Sequence, residues 1–128
     1  MRLKNKVAII TGGAGEIGFS TAKKFIKEGA KVVLVDITED DLKKRIKELN
    51  TDHAFHVVAD VTKPEQVENY VNKTMDKFGQ IDIFFNNAGI EGVIKPIAEY
   101  ELEDFQQVMA VNVNGVFLGM KYVMPKMT

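Results

Sequence analysis

The chain has 128 residues, enough for one domain with a core of its own. Apolar residues make up 45% and charged residues 27%; 17 Lys and Arg stand against 18 Asp and Glu, a net charge of −1, so there is no electrostatic basis for nucleic acid or an anionic membrane as partner. The absence of cysteine excludes disulfides and thiolate-bound metal and fits a cytoplasmic setting, and no metal site is predicted. No stretch approaches the ~18 apolar residues of a membrane span, and the run from Val7 to Ile10 falls short of the ~7–15 of a signal peptide, so neither is expected.

In chain order, KVAIIT (6–11) is β-branched and ends at glycines, as a buried strand does. A helix is predicted from about Glu16 to Glu28, with Ile17, Ala22, Phe25 and Ile26 at helical spacing and Gly29 to end it. KVVLVD (31–36) is a second buried strand. Thr38 can cap a helix to about Leu49 with Leu42, Ile46 and Leu49 on one face. HAFHVVAD (53–60) is a third strand. In TKPE (62–65), Thr62 as N-cap, an early proline and Glu65 mark the start of a helix that runs to Phe78 and stops at Gly79. IDIFFN (81–86) is a fourth strand. A loop with Gly89, Gly92 and Pro96 follows, and helical pattern resumes from about Glu101 to Met127, with a bend expected around Asn112 to Gly115.

Alternation of apolar strands with amphipathic helices predicts an α/β fold, a doubly wound parallel sheet in three layers. Right-handed crossovers allow the strand order 3-2-1-4. The crevice at the carboxyl ends of strands 1 and 4 is then the expected ligand site, flanked by TGGAGEIG (11–18) and NNAG (86–89).

TGGAGEIG follows a strand and opens a helix, with glycines that clear the way for a pyrophosphate onto backbone N–H groups. No Lys-Ser or Lys-Thr follows, so it is not a nucleoside-triphosphate loop. Its glycines fit more than one register: Gly13, Gly15, Gly18 or Gly12, Gly15, Gly18. A third pattern would need glycine where Glu16 stands. Gly15 is expected to supply the missing backbone freedom, and Glu16 to turn its carboxylate outward. Asp36 lies 18 residues beyond Gly18, near the ~20 of an acid that accepts from an adenosine ribose, which favours NAD over NADP. Asp60 and Val61 either belong to a helix-start cluster or meet an adenine. In Asn86-Asn87-Ala88-Gly89, two amides can tie loops together and two small residues leave room for a flat ligand. Asn112 reads as a buried amide needing partners, at a kink or beside a held water.

TGGAGEIG, Asp36, DVT (60–62), NNAG and VNVNG (111–115), in this order and spacing, resemble the short-chain dehydrogenase/reductase family over the whole chain. The resemblance implies a Rossmann-type fold and hydride transfer between NAD(P) and a secondary alcohol or ketone. It places Gly12, Gly15, Glu16, Ile17 and Gly18 at the pyrophosphate, Asp36 at the adenosine ribose, and Asp60 and Val61 at the adenine. Asn87, Ala88 and Gly89 fall beside the cofactor, and Asn112 is implied as a catalytic-site residue that helps hold a water in the proton relay. NNAG and VNVNG point to the shorter single-domain subfamily, although the glycine register alone would suit an extended-subfamily nucleotide-sugar epimerase.

The family's serine and Tyr-x-x-x-Lys pair lie on and after a fifth strand, and the chain is expected to stop before it. Tyr122-Val-Met-Pro-Lys126 spells the pattern only ten residues after Asn112, with Pro125 interrupting the helix, and the single serine is Ser20. Tyr122, Val123 and Met124 are instead expected to pack. Residues 1–128 are therefore expected to form a partial NAD-binding domain without the catalytic set. The readings are an NAD-dependent oxidoreductase lacking that segment, or a non-catalytic dinucleotide-binding or interaction module. Apolar helical surface at Phe117, Leu118, Met120 and Met124 beside an edge strand predicts a homo-oligomer or association with a missing half. Segment 90–100 is a candidate wall for a small-molecule substrate.

Overall fold

The structure, a computed structural model, describes residues 1–90, 92 and 94–127. Four strands, β1 (Val7–Thr11), β2 (Lys31–Asp36), β3 (Ala54–Val58) and β4 (Ile83–Asn86), form one parallel sheet in the order β3-β2-β1-β4. Thr11 is level with Val35 on one side and Asn86 on the other, so the carboxyl ends of β1, β2 and β4 finish side by side.

Successive side chains along each strand feed two different cores, because the side-chain period is two. Ala8, Ile10, Val32 and Leu34 pack on one face beneath α1 (Glu16–Lys27) and α2 (Glu39–Leu49), which contribute Ala22 and Leu42. Ile9, Val33 and Val35 pack on the other beneath α3 (Pro64–Phe78) and α5 (Gly115–Val123), which contribute Val67, Tyr70, Val71 and Val123. Full burial of a side chain such as Leu42 contributes about 1.5–3 kcal/mol. Burial also pushes the Tyr70 phenol well above its ordinary range. This is the expected three-layer, Rossmann-type arrangement.

Three local expectations need correction. Thr62 does not cap α3: Lys63 is its N-cap residue with no side-chain bond, and Pro64 is first in the helix. The Thr62 hydroxyl donates to Asp60 Oδ1 at 2.6 Å, a partner two residues back that competes with the helix end. Ile17 leaves the apolar stripe of α1 and is 67% exposed. Leu118 is packed against the core, while Phe117, Met120 and Met124 of the same group are exposed, as is Met124 among the residues expected to pack.

After β4 the chain passes through a short 3-10 turn (Ile97–Glu99) into α4 (Leu102–Met109). It continues without a break through a π-helical segment (Ala110–Asn114) into α5, so the expected bend is a widened turn. α5 approaches closely through two glycines. A Cβ on Gly115 would lie 2.9 Å from Val61 Cγ2, and one on Gly119 would lie 2.7 Å from the Phe84 ring. No helix is long and apolar enough to cross a membrane among the described residues.

Candidate functional site

A cleft of about 610 Å³, within the range of small-molecule sites, opens at the carboxyl ends of the strands. One wall comes from Gly12, Gly15, Glu16 and Ile17 after β1. A second comes from Asp36 and Ile37 after β2, and a third from Ala59, Asp60 and Val61 after β3. Asn87, Ala88, Gly89 and Ile90 after β4 close the fourth side, below Gln107 and Val111. Of the expected site residues, Gly18 and Asn112 alone do not line it.

The loop after β1 shows which glycine does what. Gly12 carries φ +66°, a conformation that glycine takes at little cost, and a Cβ there would press on Asn87 and Ala88. Gly13 packs on Leu34, and Gly18 is buried with its Cα side against the Gly12 carbonyl. Gly15, contrary to expectation, uses no special backbone freedom: its φ of −74° and ψ of 168° suit any residue. Its contribution is open space at the cleft, where a Cβ would find only the Gly12 carbonyl, 3.4 Å away.

Gly15 is also the N-cap of α1 and has no side chain with which to cap it. The first N–H groups of α1 therefore keep no side-chain partner among the described residues and, with the helix dipole, make an anion cradle at the cleft. Glu16 sits at the first helical position, exposed and at the cleft mouth.

Thr11 holds the two glycine-bearing loops together. Its side chain is fully buried. The hydroxyl donates to Asn86 Oδ1 at 3.3 Å and accepts from the N–H groups of Asn87 at 2.9 Å and Ala88 at 3.1 Å. Asn86 Nδ2 reaches the Val116 carbonyl on α5, and Asn87 Nδ2 reaches the Gly12 carbonyl at 3.4 Å. In the sequence Thr11 both ends the strand KVAIIT and opens TGGAGEIG. The available signal was a hydroxyl at the end of an otherwise apolar buried strand, which has to find partners.

Asp36 and Asp60 are held differently. Asp36 accepts the Ala14 N–H on Oδ2 at 3.0 Å and its neighbour Ile37's N–H on Oδ1 at 2.8 Å. Asp60 Oδ1 accepts both the hydroxyl and the N–H of Thr62, while its own N–H donates to Gln66 Oε1. Burial pushes the Asp60 carboxyl up, but the two Thr62 bonds and the Lys63 charge outweigh it and hold the group below its ordinary 3.8.

Asn112 is exposed, not buried, and its amide forms a reciprocal pair with one residue of the β4 loop. Ile90 N–H donates to Oδ1 and Nδ2 donates to the Ile90 carbonyl, both at 2.8 Å. The π segment thus grips the loop that carries Asn87, Ala88 and Gly89. Ser20 and Tyr122 lie outside the cleft lining, and Tyr122 packs on the core. Of segment 90–100, Ile90 reaches the cleft, Ile94 and Ile97 are about nine-tenths exposed, and Glu91 and Val93 lie outside the described residues.

Thr11→Val should cost about 2–4 kcal/mol in urea unfolding, because it strands two part-buried N–H groups. Thr11→Ser should stay within about 1 kcal/mol, the worth of a methyl. Equal losses for the two variants would exclude the hydroxyl as the tie. Thr62→Val should raise the Asp60 carboxyl from its lowered value towards or past 3.8, read by carbon NMR titration. The sign for stability follows: the lowered folded pKa contributes above pH 3.8 and is lost as pH falls through it, so the variant should show less acid sensitivity there.

The short chain dehydrogenase family model matches residues 6–128. Zerumbone synthase of Zingiber zerumbet is 45% identical, over 99% of this chain and 50% of its own length. The crystal structure of levodione reductase superposes with a TM-score of 0.92 at 42% identity, over 98% of this chain and 50% of that one. That of NAD+-bound xylitol dehydrogenase gives 0.93 at 35% identity, over 99% and 50%. The chain spans about half the length of these relatives, and it belongs to the short-chain dehydrogenase family of oxidoreductases.

Proposed function

We propose that these residues hold NAD for an oxidoreductase that moves a hydride between the nicotinamide and a secondary alcohol or ketone, and that the 128-residue chain alone does not turn over. The observation that carries the reading is convergence: the loops after all four strands meet at one cleft, and each brings a group suited to a different part of a dinucleotide. The pyrophosphate fits the anion cradle at α1, where Gly12, Gly15 and Gly18 keep side chains away and Glu16 and Ile17 offer backbone N–H. The adenosine ribose hydroxyls fit Asp36, whose carboxylate also repels the 2′-phosphate of NADP. Asp60 Oδ2 has no hydrogen-bond partner among the described residues and suits an adenine amino group beside Val61. Asn87, Ala88 and Gly89 present a flat wall to the rest of the cofactor.

The cofactor, when bound, supplies hydride acceptance and donation. The chain's own residues bind and orient it, and Asn112 fixes the wall at Ile90; holding a water in the proton relay is the further role that the family resemblance gives it. The reading of the isolated chain as inactive rests on Ser20 and Tyr122 lying away from the cleft. NAD+-bound xylitol dehydrogenase and a 3-ketoacyl-(acyl-carrier-protein) reductase complexed with NADH are consistent with the cofactor reading. A second reading, a non-catalytic binding or interaction module, is favoured by one observation: Leu102, Phe105 and Phe117 are more than half exposed along α4 and α5. Such a face suits a second copy or a further segment.

Fluorescence titration of the chain should show NADH binding at least about tenfold tighter than NADPH, with no turnover of a panel of secondary alcohols. Tighter NADPH binding would refute the role of Asp36, and robust turnover would refute the missing catalytic set. Glu16→Gly should leave NADH affinity equal or higher, since a carboxylate turned outward at the cleft mouth makes no favourable contact with a diphosphate. Stability should fall by about 0.3–1 kcal/mol with the lost dipole interaction. A large loss of affinity would give Glu16 a positive role.

A further inference from the structure

We propose that Arg45, on α2 and outside the cleft lining, is a positioning residue for the dinucleotide loop; the proposal rests on the cofactor reading above. Ala14, in the middle of that loop, is gripped from both sides. Its N–H donates to Asp36 Oδ2 and its carbonyl accepts from Arg45 Nε, each at 3.0 Å. Three successive peptide units of the loop, those carrying the Gly13, Ala14 and Gly15 N–H groups, are held. Gly13 N–H donates to the Val35 carbonyl and Gly15 N–H to the Gly12 carbonyl. Two carbonyls of the loop are held by side chains from other elements: that of Gly12 by Asn87 Nδ2 at 3.4 Å, and that of Ala14, more closely, by Arg45 Nε.

A trans peptide is planar, with C=O and N–H antiparallel, so holding the Ala14 carbonyl sets the direction of the Gly15 N–H. Gly15 is the residue from which α1 starts and one that lines the cleft. Ala14 itself faces a smaller hollow shared with Asp41, Lys44, Arg45 and Glu48. Arg45 thus holds the carbonyl on the side away from the cleft and keeps the Gly15 N–H on the Gly12 carbonyl, which fixes the turn from which the Glu16 and Ile17 N–H groups follow.

Arg45 is itself immobilised. Its guanidinium lies 4.2 Å from the centroid of the Phe19 ring, and Phe19 is buried one turn into α1. Nη1 is 3.8 Å from Glu48 Oε2, and the side chain is 27% exposed. A side chain with few remaining rotamers makes its hydrogen bond at low entropic cost. The tie therefore connects the start of α1, the loop and α2 through a single planar group.

The test compares wild type, Arg45→Met and Glu48→Ala. Arg45→Met should weaken NADH binding about tenfold, the worth of a charge-assisted hydrogen bond, and the loss should persist in about 0.5 M salt, where a bare charge effect is screened. In the ligand-free chain, the amides of Gly15 and Glu16 should exchange at least about fivefold faster, with the β1 amides unchanged. Glu48→Ala should change neither readout, because it removes only an exposed partner of Arg45. Unchanged Gly15 exchange in Arg45→Met overturns the proposal whether or not NADH binds. So does an affinity loss that disappears with salt. Absence of NADH binding by a folded wild-type chain overturns the cofactor reading instead, and the exchange result then decides the role of Arg45 in the loop alone.

Discussion

A single hydroxyl fixes the distance between the two sides of the cleft. Thr11 ends β1 in a position with no access to water, and every bond of its hydroxyl goes to Asn86, Asn87 or Ala88, at the end of β4 and just beyond it. Parallel neighbours hold one another only as far as their ladder runs, and the ladder stops at Thr11 and Asn86. Beyond that point the backbones diverge, one into a helix and the other into a loop. Without the hydroxyl, the side-chain tie left between Gly12 and the β4 loop among the described residues would be the longer bond from Asn87 Nδ2 to the Gly12 carbonyl, at 3.4 Å.

The loop after β1 illustrates a trade between helix stability and binding. A serine or aspartate in place of Gly15 would satisfy a terminal N–H of α1 from its own side chain and stabilise the helix by roughly a few tenths of a kcal/mol. It would also fill the space that a ligand needs. The chain instead leaves the helix end open and stiffens the approach with side chains from elsewhere: Asp36 from β2, Arg45 from α2 and Asn87 from the β4 loop. Asp36 thus has a structural task alongside any contact with a ribose.

Layer architecture, strand order and most element limits were legible because they follow from periodicity and handedness, which are properties of runs of residues. β2 and the end of α3 fall where the pattern puts them. The glycine loop, Asp36, Asp60 and NNAG were legible as one site for the same reason: parallel topology brings strand ends together. Individual hydrogen bonds were not. Thr62 has a cap residue's chemistry, but Asp60 is nearer than the helix end. Gly15 belongs to a glycine motif, yet only the observed φ values show that Gly12 takes the unusual conformation. Asn112 sits in an apolar run, and nothing local shows that the run faces outward there or that its partner is Ile90. Arg45 stands in the sequence among Lys43, Lys44 and Lys47, with nothing local to set it apart, because its acceptor lies 31 residues away.

The π segment between α4 and α5 has a consequence for how the sequence can change. A wide turn holds one more residue than an α turn, and each residue advances a helix by ~100°. The segment therefore sets the rotational phase of everything after it. With one residue fewer, α5 would turn by that angle. Gly115 and Gly119 would leave Val61 and Phe84, and bulkier neighbours would be driven into the sheet. Most surface helices absorb a length change by fraying at an end. This one is clamped at Asn112 on one side and at two glycine contacts on the other, so its residue count behaves as a structural constant, like the spacing of ligands around a metal.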